Sequence, residues 1–174
     1  ILNEKISRIV RDALPGSIRV TADRRCVEVV PVTGSTYYTV APFPFSPVSI
    51  SRNQVRALQV DGNLSASGFL AINPTPSNSN DIYALNNPGY VSQQQATIAT
   101  TVANEVTFEF AGGALFEFLQ ESPQNRLYIV SNPAAFCQDG NQLYYYRNYG
   151  FISDVANLQA GLPSTLPNRL LIAT

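Results

Sequence analysis

The 174-residue chain contains no histidine and two cysteines, and its one lysine is Lys5. Without imidazole there is no Ser-His-Asp or Cys-His catalysis, no histidine metal ligand and no histidine pH switch. A lone lysine leaves little room for Schiff-base or Ser-Lys chemistry. Carboxylates, tyrosines and hydroxyls remain. Paired carboxylates perform glycoside hydrolysis, and Glu28, Glu105, Glu109, Glu117 and Glu121 are the candidate partners. Spacing does not show any two of them converging, and Glu109 is accounted for as the polar face of an amphipathic strand. The expectation is therefore a protein that is not an enzyme. Calcium wants Asp and Asn clustered in one loop. NSND (78–81) and DGN (139–141) are too short for that and read as turns. Two cysteines alone cannot build a structural zinc site, so no metal or cofactor is expected. Cys26 and Cys137 lie about 110 residues apart, which excludes a CxxC redox motif. A bridge between them and two separate buried thiols both remain open on spacing. Tyr144, Tyr145, Tyr146 and Tyr149 could stack on sugar rings. Alternate strand residues face opposite ways, so Tyr145 points away from Tyr144 and Tyr146 and at least one face reads as core. Tyr37 and Tyr38 are a weaker pair of the same kind.

The elements that must position these residues follow from hydrophobic period. ILNEKISRIVRDAL (1–14) places Leu2, Ile6, Ile9, Val10, Ala13 and Leu14 on one helical face, the expected core face. Glu4 with Arg8, and Arg8 with Asp12, are opposite charges at i,i+4 on the other side. Pro15-Gly16 ends the helix. No capping residue precedes Ile1, and the segment reads as the C-terminal stub of a longer helix. From there the period becomes alternating. Strands are expected at 17–21, 25–32, 37–40, 55–60, 68–72, 81–85, 96–102, 106–110, 115–119, 126–131 and 142–147, with a closing strand near 170–172. A turn is expected at Thr33-Gly34-Ser35. PFPFSP (42–47) cannot be a central strand, because its three prolines remove three donors. It reads as a surface loop tucking Phe43 and Phe45 inward. Asp139-Gly140-Asn141 is a hairpin turn. No βαβ alternation is present, so the expected class is α+β, a helix on antiparallel sheets.

Charged residues make up only 13% of the chain and the net charge is −1. No basic face is available in bulk, which argues against nucleic acid as a partner. No apolar run reaches the roughly 20 residues of a membrane helix.

EKISRIVRDALPGSIRV (4–20) resembles the helix-end segment of type IV minor pilins and of the J-type pseudopilins of type II secretion, where R-x-x-R-x-A-x-P leads into a first strand. CVEVVPV (26–32) is similar to the next strand of MshO-like minor pilins of the mannose-sensitive haemagglutinin (MSHA) pilus system. ESPQNRLYIVSNPAAFCQDGNQLYYYRNYGF (121–151) resembles the same group. The middle of the chain, about 46–103, matches only loosely. The resemblance implies one pilin-like domain over 1–174, with 1–14 the end of the N-terminal helix and 15–174 a β-rich head. It implies a structural subunit that initiates or caps a pilus or pseudopilus. The implied partners are other minor pilins or pseudopilins and the major pilin, with inner-membrane anchoring through an apolar helix upstream. The head would be periplasmic before assembly, a compartment where a Cys26–Cys137 disulfide persists. Ile1, Glu4, Lys5, Arg8, Arg11 and Asp12 become candidate subunit contacts. The alternative is a secreted β-rich carbohydrate-binding or adhesive module.

Overall fold

A computed structural model describes residues 2–46, 50–59 and 64–174, with the side chains of Leu2, Asn3 and Lys5 outside that description. Helix α1 spans Leu2–Arg11. It stops before Pro15 because the residue preceding a proline is pushed out of the helical region. The amide of Leu14 then bonds to the carbonyl of Val30 at 2.8 Å, and Ala13 bridges Pro31. Strands β1 (Arg19–Val20) and β2 (Cys26–Val29) form a hairpin that sets Arg19 opposite Glu28. There follow β3 (Val32–Val40), β4 (Gln54–Leu58), β5 (Ser67–Ile72), the short helix α2 (Asn80–Tyr83), β6 (Ala96–Val102), β7 (Glu105–Phe110) and β8 (Arg126–Val130). The chain ends with β9 (Ala134–Asp139), β10 (Gln142–Tyr146), the short helix α3 (Leu158–Gly161) and β11 (Arg169–Ala173).

Where the sequence suggests one head, the chain divides into two compact units: Ile1–Pro31 with Pro76–Ala84 and Asn132–Thr174, and Val32–Thr75 with Leu85–Ser131. The first carries an antiparallel sheet in the order β1-β2-β9-β10-β11. Its core gathers Cys26, Ala135, Cys137, Tyr146 and Leu158. The second is a closed antiparallel barrel in the order β3-β4-β7-β6-β5-β8, with β8 returning to β3. A barrel this small is filled by side chains. Val106, Phe108 and Phe110 of β7 point in, and Phe110, Phe116 and Phe118 meet edge to face at 5.8 and 5.0 Å. Gly68 is required where β5 begins to pair with β8, since a Cβ there would lie 2.7 Å from Ile129 Cγ2 and 2.8 Å from the Val130 carbonyl.

The chain is thus mixed helix and sheet, with antiparallel ladders throughout, and its N-terminal helix is short. Several local expectations change. Gly34 makes no turn: β3 runs through it, with a register shift between Val32 and Gly34 that marks a bulge. The segment expected as a strand at 81–85 begins as helix α2, because the Asn78 side chain accepts the Asn80 amide and opens a turn. Residues 115–119 form no strand; Phe118 makes only an isolated bridge to Gly89. The hairpin at Gly140 pairs β10 with β9, a strand that the sequence pattern does not reveal, since Pro133 and the run Ala134, Ala135 break its alternation. Phe43 packs on the barrel core as expected, whereas Phe45 is 97% exposed. Pro47 and Val60 lie outside the described residues.

Candidate functional site

Helix α1 leaves its apolar stripe only partly covered. Leu14 is fully buried, while Ile6, Ile9, Val10 and Ala13 are half-buried. Among the described residues, no strand packs extensively against the helix. The Leu2 side chain is outside the description. Of the candidate contacts, Glu4, Arg8, Arg11 and Asp12 are exposed, the Lys5 side chain is outside the description, and so is Ile1. Arg11 approaches Asp12 at 3.9 Å, both well exposed, a geometry that contributes little.

Buried charge sits instead in the sheet unit. The β1–β2 hairpin holds Arg19 Nε 2.6 Å from Glu28 Oε2, with both side chains almost wholly buried. Arg19 also donates to Asn80 Oδ1 at 2.7 Å, to the Ser153 carbonyl at 2.9 Å and to the Ile152 carbonyl. Its guanidinium stacks 3.5 Å from the centre of the Tyr83 ring. The Tyr149 hydroxyl donates to Glu28 Oε1 at 2.8 Å, and that of Tyr83 to the Ser17 carbonyl at 2.7 Å. Burial pushes the Glu28 carboxyl up from its ordinary value, against the downward pull of Arg19 and Tyr149. Burial, then the Glu28 charge, raises both Tyr83 and Tyr149. Each carboxylate oxygen is engaged, so the cluster clamps β1, β2, α2 and residues 149–155 together and offers no group to a substrate.

Cys26 and Cys137 are bonded, with S–S 2.10 Å. They stand directly opposite each other in the β2–β9 ladder, Cα atoms 4.1 Å apart. A cavity of about 310 Å³ opens beside the bridge. Arg25, Gln138, Asp139, Gln159, Ser164 and Arg169 supply its polar groups. Beside it, Asp23 accepts hydrogen bonds from Thr21, Gln159 and the Arg25 amide, which lower its carboxyl to about 2. Sequence reading missed Arg19, Gln159 and Arg169. Arg19 and Glu28 were legible as partners of a hairpin centred on Asp23 and Arg24. Nothing local marks the other two, which the fold brings in from 133 and 32 residues beyond Cys26 and Cys137.

The remaining carboxylates are occupied separately. Glu105 accepts from Thr39 at 2.6 Å, Glu109 from Asn53 at 3.2 Å, and Glu117 pairs with Arg52 at 3.1 Å. Glu105 and Glu109 are four residues apart on β7, about 13 Å along a strand. Glu117 and Glu121 line different hollows, each without a second carboxylate among the described lining residues. No group of three His, Cys, Asp or Glu among the described residues could hold a metal ion. The tyrosines divide as their alternation requires. Tyr145 packs on Phe136 at 5.1 Å, while Tyr144 and Tyr146 share the other side at 6.3 Å. Arg169 covers Tyr144 at 3.8 Å, and Arg126 stands 5.3 Å from Tyr37. Tyr38 is buried, its hydroxyl accepting the Ser122 amide. None of these offers an open pair of rings for sugar stacking.

No helix among the described residues is long and apolar enough to cross a membrane. No protein-family model matches the chain, and neither a curated protein nor a solved structure does.

Proposed function

We propose that this chain is the head of a minor pilin or pseudopilin, a subunit that initiates or caps a type IV (MSHA-type) pilus or a type II secretion pseudopilus. Its work is assembly rather than catalysis. The reading is carried by α1: an amphipathic helix that keeps Ile6, Ile9 and Val10 half-exposed immediately before an antiparallel sheet. Leaving such residues in water costs roughly 25 cal/mol per Å² of apolar surface, a term that packing against neighbouring helices in a bundle would recover. The disulfide adds support, because such bridges persist in the periplasm and outside the cell. Other minor pilins and the major pilin are the partners, and an apolar helix upstream would anchor the subunit in the inner membrane.

The test is Ile9→Glu in the full-length protein, expressed in place of the native copy. Ile9 is half-buried and belongs to neither of the two described core clusters, so the variant should still fold, with its melting temperature measured alongside. Filament number, or the protein's recovery in sheared filaments, should fall severalfold. Undiminished recovery of the folded variant would contradict the proposal.

A further inference from the structure

Between β10 and β11 the chain leaves the sheet at Arg147 and returns at Asn168, where the Arg147 amide bonds to the Asn168 carbonyl at 3.1 Å. Both ends of this excursion are thus fixed by the β10–β11 ladder, which continues at Tyr146 and Arg169. Within 147–168, Leu158 is the one buried residue. The two halves are held unequally. In the first, Arg19 bonds to the carbonyls of Ile152 and Ser153, Asn80 Oδ1 accepts the Val155 amide at 3.3 Å, and Tyr149 donates to Glu28. In the second, 156–167, Leu158 drops into the core beside Cys26 and Cys137, and Leu162 packs half-buried on the same core. Gln159 donates to Asp23 Oδ2 at 2.8 Å and to Cys26 Sγ at 3.7 Å.

The cavity of about 310 Å³ is lined both by Gln159, Leu162, Pro163 and Ser164 of this second half and by the sheet residues around the bridge. The segment is therefore loosely packed where it covers the disulfide. Regions with few buried apolar contacts open at a fraction of the cost of global unfolding. Lifting 156–167 breaks no pairing of β2 with β9, β9 with β10 or β10 with β11. It uncovers Cys26 and Cys137, which are 2% and 5% exposed when the segment is down.

We propose that 156–167 is a lid that swings off the sheet while the rest of the protein stays folded, and that its opening exposes the Cys26–Cys137 bridge to reduction by a small dithiol. One thiolate of the dithiol attacks a bridge sulfur, the S–S bond breaks, and the other cysteine leaves as a thiolate and takes a proton. The second thiol of the reductant then attacks the mixed disulfide. That step frees the remaining cysteine and leaves the dithiol oxidised to a cyclic disulfide. The bridge is thereby a redox-sensitive element whose lifetime is set by the lid. All the residues involved belong to the sheet unit, so the inference stands whether or not the chain assembles into a filament.

Dithiothreitol is the probe. Reduction of the folded, oxidised protein, followed by alkylation and mass spectrometry, should run at least about tenfold faster in low urea than global unfolding allows, with a rate nearly independent of urea. Gln159→Ala removes the bonds to Asp23 and Cys26 and should raise that rate severalfold. Hydrogen exchange of the Leu158 amide, bonded to the Val155 carbonyl in the closed lid, should accelerate by the same factor. Val29→Ala, buried on the face of β2 opposite Cys26, should lower the urea midpoint and leave the low-urea reduction rate unchanged. A rate that climbs from zero urea with the slope of global unfolding would overturn the proposal. So would an unchanged rate in Gln159→Ala, a faster reduction there without faster Leu158 exchange, or a Val29→Ala rate raised as much as that of Gln159→Ala.

Discussion

Arg19 and Glu28 meet because the turn at Asp23 and Arg24 sets them opposite each other, and the surrounding tyrosines then exclude water from the pair. A buried ion pair of this kind is costly to form but costlier to break. Arg19→Met strands the Glu28 carboxylate and should lower unfolding free energy by about 3–5 kcal/mol in urea titrations. Without Arg19 the Glu28 pKa climbs further above its unfolded value, so the native state binds the extra proton. The loss should therefore shrink as pH falls toward the ordinary carboxylate range of about 4. Arg19→Met combined with Glu28→Leu should recover much of the stability, since apolar replacements of such pairs are often neutral. A double variant as unstable as the single would show that the pair contributes more than mutual neutralisation. Asp23 behaves in the opposite sense. Its carboxyl is lowered to about 2, chiefly by the Thr21 hydroxyl and the Gln159 amide. Its contribution is complete above its unfolded value near 3.8 and fades as pH drops through 2. Asp23 should titrate near pH 2 by carboxyl carbon NMR, and Asp23→Asn should flatten the stability loss between pH 4 and 2.

At the scale of elements, alternation identifies a strand where one face is buried and the other wet. β7 obeys it residue by residue, with Val106, Phe108 and Phe110 inward. β4 and β8 are legible for the same reason, and the Asp139-Gly140-Asn141 turn marks where β10 begins. β9 fails the pattern because Ala134, Ala135, Phe136 and Cys137 are buried in succession. The 81–85 segment fails because Ile82 and Tyr83 look like strand residues, while an asparagine turn just upstream winds them into α2. The candidate site was legible only at its disulfide, and there through resemblance rather than pattern. Arg169 arrives on the last strand, and nothing near it in sequence indicates a stacking partner on β10. The bridge itself links two strands that are already adjacent, yet it closes a separation of 111 residues. Chain entropy for a loop of that size is about 4–5 kcal/mol. Reduction, or Cys26→Ala with Cys137→Ala, should lower the unfolding free energy toward that amount. A loss well under 1 kcal/mol would mean that the β2–β9 ladder orders the unfolded chain nearly as well as the bridge does.

On the whole-molecule scale, the proposed assembly role draws on low charge, a disulfide, two antiparallel β units and a half-covered amphipathic helix. The five candidate glutamates are each bound to their own neighbours or set on separate hollows, so none is placed as the carboxylate pair of a glycosidase. The helix is the part whose chemistry is incomplete within the chain itself. Its apolar face should continue upstream if it belongs to a filament bundle. The most direct measurement is the coding sequence immediately preceding Ile1. The account predicts a short basic leader, a cleavage site followed by phenylalanine, and about 20 apolar residues running without a break into ILNEKISRIV. A secretory signal ending directly before Ile1 would contradict it and would leave an exported binding module instead.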